Sequence, residues 1–138
     1  IMAVDHGIDV VYVSNHGGRQ LDHGLGGLDV LPEVVEAVRN RAQVVVDGGF
    51  MRGTDVVKAI AMGANAVGMG RLQGLALAAA GQQGVVRALE LLEDEIIRVL
   101  GLLGVNSFGE LDRRYLTKTA PLGRPGISSP FPLIKEGY

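Results

Sequence analysis

The chain has 138 residues, 47% of them hydrophobic and 20% charged, with a formal net charge of −2 and no cysteine. That is enough chain for one globular domain with a real core. It excludes disulfides, a thiol nucleophile and cysteine-ligated metal. The slight negative charge argues against a nucleic-acid partner, which calls for a basic surface, and no apolar run approaches the roughly 18–20 residues of a membrane span.

The chain opens as if on the end of a helix, with Ala3 and Val4 ahead of a helix-stopping Gly7, and reads as part of a longer protein. Its first residues lack the basic start and long apolar stretch of a signal peptide. Asp9–Ser14 is expected to be a buried strand: Val10, Val11, Tyr12 and Val13 run without polar alternation, as in a parallel strand covered on both faces. Residues 15–29 are Gly-rich and polar, hence a loop. Leu31–Asn40 is expected to be a helix with Pro32 near its first turn. A strand over Gln43–Val46, a helix over Thr54–Met62 stopped by Gly63, and a strand over Ala66–Met69 follow. This order, with short connections, predicts a parallel α/β architecture. A longer helix is expected from about Gly84 to Leu103, with Val85, Leu89, Leu92, Ile96, Val99 and Leu103 at helical spacing. Ser107-Phe108-Gly109-Glu110 fits a capping box opening a short final helix. Residues 1–118 form the domain. Residues 119–138, with Pro121, Pro125, Pro130 and Pro132, read as an extended or disordered tail.

Each strand ends in a chemically loaded turn, on the side where α/β proteins place their sites. After the first come Ser14, His16 and Arg19; after the second, Asp47-Gly48-Gly49-Phe50-Met51-Arg52-Gly53; after the third, Gly68-Met69-Gly70-Arg71. His16 suits proton abstraction near neutral pH. Arg19, three residues on, offers a planar fork for a carboxylate. Together they suggest chemistry on a small organic acid. The second and third turns read as a phosphate site, because glycines admit an anion to the backbone and helix starts point N–H groups at it. Arg71 supplies charge there, with Arg52 as a second candidate. Gly68-x-Gly70-x-x-x-Gly74 has the wrong spacing for a dinucleotide fingerprint. His6 sits at a helix end and His23 in solvent. Asp22 serves either to orient a base or as a local cap.

Ser14-Asn15-His16-Gly17-Gly18-Arg19-Gln20 resembles the active-site signature of the FMN-dependent α-hydroxy-acid dehydrogenases and oxidases. The resemblance continues through Asp47-Gly48-Gly49, Arg52-Gly53-Thr54-Asp55-Val56, Lys58-Ala59, Gly63-Ala64 and Gly70-Arg71, over about residues 1–115. It implies the C-terminal part of a (β/α)8 TIM barrel, about its last three βα units with C-terminal helices. It implies FMN as cofactor and oxidation of an (S)-2-hydroxy acid to a 2-oxo acid. His16 would be the base and Arg19 would hold the substrate carboxylate. Ser14, Asp47, Gly48, Gly49, Phe50, Met51, Arg52, Gly70 and Arg71 would bind the cofactor. The electron acceptor would be oxygen, a quinone or a cytochrome. The whole protein would be a homo-oligomer, a tetramer in this family, located in the cytoplasm or at a membrane periphery if the acceptor is a quinone. Met51 departs from the family pattern, in which a second arginine is common. Two alternatives stay open: a phosphate-binding barrel acting on a nucleotide or phosphorylated substrate without flavin redox, and a non-catalytic half-barrel fragment.

Overall fold

A computed structural model describes residues 1–20 and 23–118. The expected tail, 119–138, and Asp22 lie outside the described residues. Three parallel strands, β1 (Val10–Val13), β2 (Gln43–Val46) and β3 (Ala66–Val67), form one sheet in the order β1-β2-β3. A short α1 (Met2–Asp5) precedes β1; α2 (Gly27–Val38) crosses from β1 to β2, α3 (Gly53–Ala61) from β2 to β3, and α4 (Arg71–Leu103) follows β3. The parallel α/β expectation therefore holds, and all three strands send their carboxyl ends to the same edge.

Alternation along the strands divides the sheet into two unlike faces. Val13, Val44 and Val46 point to one face and form a core with Leu31, Val38, Phe50, Ala59 and Ala64. Within the described residues β1 is covered on this face alone. On the other face Val10 and Tyr12 are 46% and 55% exposed, and Ala66 is exposed. A valine run records that both faces are apolar; it does not record what covers them.

Local chemistry moved several boundaries. Helix α2 starts at Gly27, inside the expected loop, because the Asp29 carboxylate accepts the Gly26 N–H at 3.0 Å and caps the turn. Gly27 must be glycine: a Cβ there would lie 2.5 Å from the Asp47 carbonyl oxygen, so α2 packs directly onto the end of β2. Pro32 thus falls one turn into the helix. Strand β3 has two residues rather than four, and α3 begins one residue earlier than expected, at Gly53.

Helix α4 starts at Arg71, not near Gly84, and is broken at Ala80–Gly81. Gly81 sits at φ 57°, ψ −144°, a conformation natural only to glycine. The periodicity of residues 84–103 captured only the second half, because the break resets the phase. A Cβ on Gly84 would collide with the Ala76 carbonyl, so the two halves pack tightly at the bend. Helix α3 packs against α4, with Val56, Val57 and Leu92 buried. The expected final helix is only two single 3-10 turns, Phe108–Glu110 and Arg113–Tyr115. The capping pair is present, with Glu110 accepting from Asn106 N at 3.0 Å and Ser107 Oγ at 3.2 Å, but Gly109 and the extended Leu111 stop propagation. No helix among the described residues is long and apolar enough to cross a membrane.

Candidate active site

The carboxyl ends of the three strands enclose a cavity of about 590 Å³ lined by His16, Gly17, Arg19, Asp47, Gly48, Gly49, Phe50, Met51, Gly68, Gly70 and Arg71. Two larger ideas from the sequence meet here: the His16/Arg19 pair and the glycine-rich turns share one space.

The turn after β1 is built by short polar side chains. Ser14 Oγ accepts the His16 N–H at 3.1 Å, Asn15 Oδ1 accepts the Gly17 N–H at 2.9 Å, and Asn15 Nδ2 donates to the Leu25 carbonyl at 3.1 Å. These bonds hold three consecutive residues, His16, Gly17 and Gly18, at φ 53°, 66° and 72°. Left-handed geometry is natural for the glycines, whereas for His16 it costs about 1–2 kcal/mol. His16 lines the cavity. Among the described residues nothing hydrogen-bonds the His16 ring or the Arg19 guanidinium. Ser14 is not among the residues lining the cavity; its Oγ accepts from His16 N and shapes the turn, and its hydroxyl proton stays available to donate.

The loop after β2 is rigid by contrast. Phe50 is 4% exposed and packs in the core, so it anchors the loop and offers the cavity backbone. Gly48 and Gly49 adopt φ 101° and 85°, which admit no ordinary side chain. The Asp55 carboxylate caps α3 by accepting from Met51 N at 3.2 Å and Arg52 N at 3.0 Å.

Arg52 corrects the sequence reading. Its guanidinium does not line the cavity; it forks onto Glu95 of α4, with Nε at 2.8 Å from Oε1 and a terminal nitrogen at 2.7 Å. The other Glu95 oxygen accepts the Gly53 N–H at 2.7 Å. The hydrogen bonds from Arg52 and from the Gly53 backbone hold the Glu95 carboxyl below its ordinary pKa. Glu95 was not visible in the sequence as part of this region, because it lies more than forty residues away on the exposed side of an amphipathic pattern.

Helix α3 therefore has its N-terminal donors engaged, while α4 has no side-chain cap and opens on Gly70 and Arg71 at the cavity wall. A Cβ on Gly70 would meet nothing within 4 Å. Free N–H groups, the positive end of the helix dipole and the Arg71 guanidinium converge there, a ready anion site. Met51 lines the same cavity without a charge.

Asp47 adds a different demand. Its Oδ1 is buried without a hydrogen-bond partner. An ionised carboxylate only accepts, so this oxygen calls for a ligand donor. A phosphate dianion has none to give and would be repelled. A hydroxyl-bearing chain would satisfy it. A polyol beside a phosphate is the combination the donor set selects, and the ribityl phosphate of FMN has that composition.

The FMN-dependent dehydrogenase family matches residues 1–118. This chain belongs to that family. It is 46% identical over 114 residues to an L-lactate oxidase of Nostoc sp., covering 83% of this chain and 31% of the relative. It is 52% identical over 116 residues to a 4-hydroxymandelate oxidase of Amycolatopsis orientalis, covering 84% of this chain and 32% of the relative. A solved mandelate oxidase variant with the monooxide FMN adduct superimposes with a TM-score of 0.76 at 52% identity, over 78% of this chain and 34% of that one. The chain thus spans about a third of the length of the family members it matches.

Proposed function

We propose that this chain forms the C-terminal three βα units of a (β/α)8 barrel that oxidises a 2-hydroxy acid to a 2-oxo acid with FMN. The uncovered apolar face of the sheet, with Val10, Tyr12 and Ala66 exposed, is the face such a barrel turns inward. The observation that carries the reading is the shared cavity: an imidazole and a guanidinium from the β1 turn open onto the same space as the anion site of Gly70 and Arg71.

Arg19 binds the substrate carboxylate through two parallel N–H donors, which fixes the hydroxy-bearing carbon in front of His16. The neutral imidazole of His16 takes one proton from the substrate, from its hydroxyl or from the α-carbon, and holds it as imidazolium. Bound FMN supplies the two-electron acceptor that the oxidation requires. Asp47, the Gly48–Gly49 backbone and the α4 N-terminus with Arg71 hold the polyol and phosphate. Met51 adds packing there and no charge, which leaves Arg71 as the guanidinium on the phosphate side. Relatives of similar identity include oxidases and a cytochrome-linked L-lactate dehydrogenase, so the final electron acceptor is oxygen or a cytochrome.

The test uses the full-length protein with FMN bound, mixed anaerobically with lactate, glycolate and mandelate. Flavin absorbance should bleach with at least one of them. His16→Ala should lose the bleaching by several orders of magnitude while retaining bound FMN. Arg19→Lys should raise the substrate concentration needed, because the fork is lost. Unchanged bleaching by His16→Ala would overturn the base assignment. Phosphate binding with no flavin uptake would favour a barrel acting on a phosphorylated substrate.

A further inference from the structure

Tyr12 is not explained by the core or by the reaction. It projects from β1 on the face away from the helices, and its ring is more than half exposed. Its hydroxyl end is elsewhere. Tyr12 pairs in register with Val45 of β2, so Asp47 lies two residues further along the same face of the neighbouring strand. Gly68 lies just past β3, the strand beyond. A Cβ built on Gly68 would collide with the Tyr12 hydroxyl, and would lie 3.2 Å from both the Tyr12 Cζ and the Asp47 Cβ. The phenol therefore reaches across β2 and rests over β3, in the space a side chain at position 68 would take. Gly68 has no left-handed φ to require a glycine; what requires it is the phenol.

This places the Tyr12 hydroxyl beside Asp47, whose Oδ1 is buried without a hydrogen-bond partner. Partial desolvation and the negative charge of the neighbouring Asp47 raise the Tyr12 pKa above its ordinary value. The phenol thus stays protonated and able to donate. A carboxylate held from one side loses the freedom to rotate about its terminal bond, and the remaining oxygen keeps one direction. That oxygen belongs to a residue lining the cavity.

We infer that Tyr12 is a positioning residue for the polyol segment of the cofactor: its hydroxyl, seated over Gly68, fixes the Asp47 carboxylate so that Oδ1 accepts from a ligand hydroxyl. The inference rests on the proposed FMN reading and extends it to a residue outside the cavity lining. Tyr12 touches neither substrate nor phosphate; it acts through Asp47.

The experiment measures flavin affinity by fluorescence quenching in the full-length apoprotein. Three probes separate the parts of the cofactor: FMN, riboflavin, which lacks the phosphate, and lumiflavin, which lacks the polyol chain. Tyr12→Phe keeps the ring and removes the hydroxyl. It should weaken FMN and riboflavin equally, by roughly tenfold, and leave lumiflavin unchanged. In an Asp47→Asn background the same substitution should add little, since the two act as one unit. Gly68→Ala, which displaces the phenol without altering it, should reproduce the pattern and guards against a folding artefact in Tyr12→Phe. Equal weakening of lumiflavin, or full additivity with Asp47→Asn, would overturn the inference. Arg71→Ala separates the two levels. If it weakens FMN but not riboflavin while Tyr12→Phe does nothing, the cofactor reading stands and the role of Tyr12 falls. If the parent protein takes up no flavin, both fall.

Discussion

The turn after β1 and the loop after β2 leave neighbouring strands of one sheet, yet they are held by different means. Residues 47–53 are fixed by a buried aromatic, a helix cap and an ion pair to a helix distant in sequence. Among the described residues, 14–19 are held by bonds from the Ser14 and Asn15 side chains and by two backbone turns, and His16 and Arg19 are exposed. A cofactor cradle must be preorganised, because any ordering on binding is subtracted from affinity. A base and a carboxylate clamp need room for a substrate to enter and a product to leave. The same sheet edge thus carries a stiff half and a compliant half, and each can be perturbed without the other.

The largest expected effect is on the stiff half. Phe50→Ala in the full-length protein should cost about 3–5 kcal/mol, read from denaturant unfolding of the apoprotein. FMN affinity should fall with it, because the loop loses its anchor. A cost below about 1 kcal/mol would show that the cap and the ion pair suffice without the core.

A smaller effect is expected on the compliant half. A Cβ on Gly17 would meet nothing within 4 Å, so Gly17→Ala probes backbone conformation alone, at φ 66°. The left-handed penalty is about 1–2 kcal/mol. It should appear as lower turnover, with His16 and Arg19 displaced, and with the FMN dissociation constant unchanged. A parallel loss of FMN affinity would show that the two halves are coupled.

The smallest effect concerns the ion pair, whose Arg52 side chain is 65% exposed and so contributes little by charge alone. Glu95 has its pKa lowered by Arg52 and by the Gly53 N–H. Its contribution to stability is therefore present above the ordinary carboxylate value of 4.5 and is lost as pH falls from there through the lowered folded value. Glu95→Gln should lower Tm by a few degrees at neutral pH and flatten the acid side of the Tm–pH curve. An unchanged acid slope would mean that the Gly53 backbone bond, which Gln can still accept, carries the whole contact.

Much of this site was legible in the sequence because its logic is local. Strand runs, a base and a guanidinium three residues apart, and glycines at strand ends are written within short windows. The fold class followed from their order. Arg52 was misread for the opposite reason. A cation beside an anion cradle reads as a ligand until its partner is known, and that partner, Glu95, sits 43 residues away on another helix. The bond from His16 N to Ser14 Oγ, which shapes the turn, was likewise not legible in the sequence. The start of α4 was missed because the break at Ala80–Gly81 separates two helical phases.

The sequence by itself determined which chemistry is possible: His16, Arg19, Asp47 and Arg71 are fixed by identity, and their places at strand ends follow from apolar runs of limited length. Only the tertiary structure decided which polar groups are free to act. A side chain is available for function when nothing nearer satisfies it, and that accounting runs through space. Glu95 engages Arg52 and the Gly53 N–H, Asp55 caps α3, and the Tyr12 hydroxyl rests over Gly68, while Arg71 and Asp47 line the cavity and Asp47 Oδ1 has no partner among the described residues.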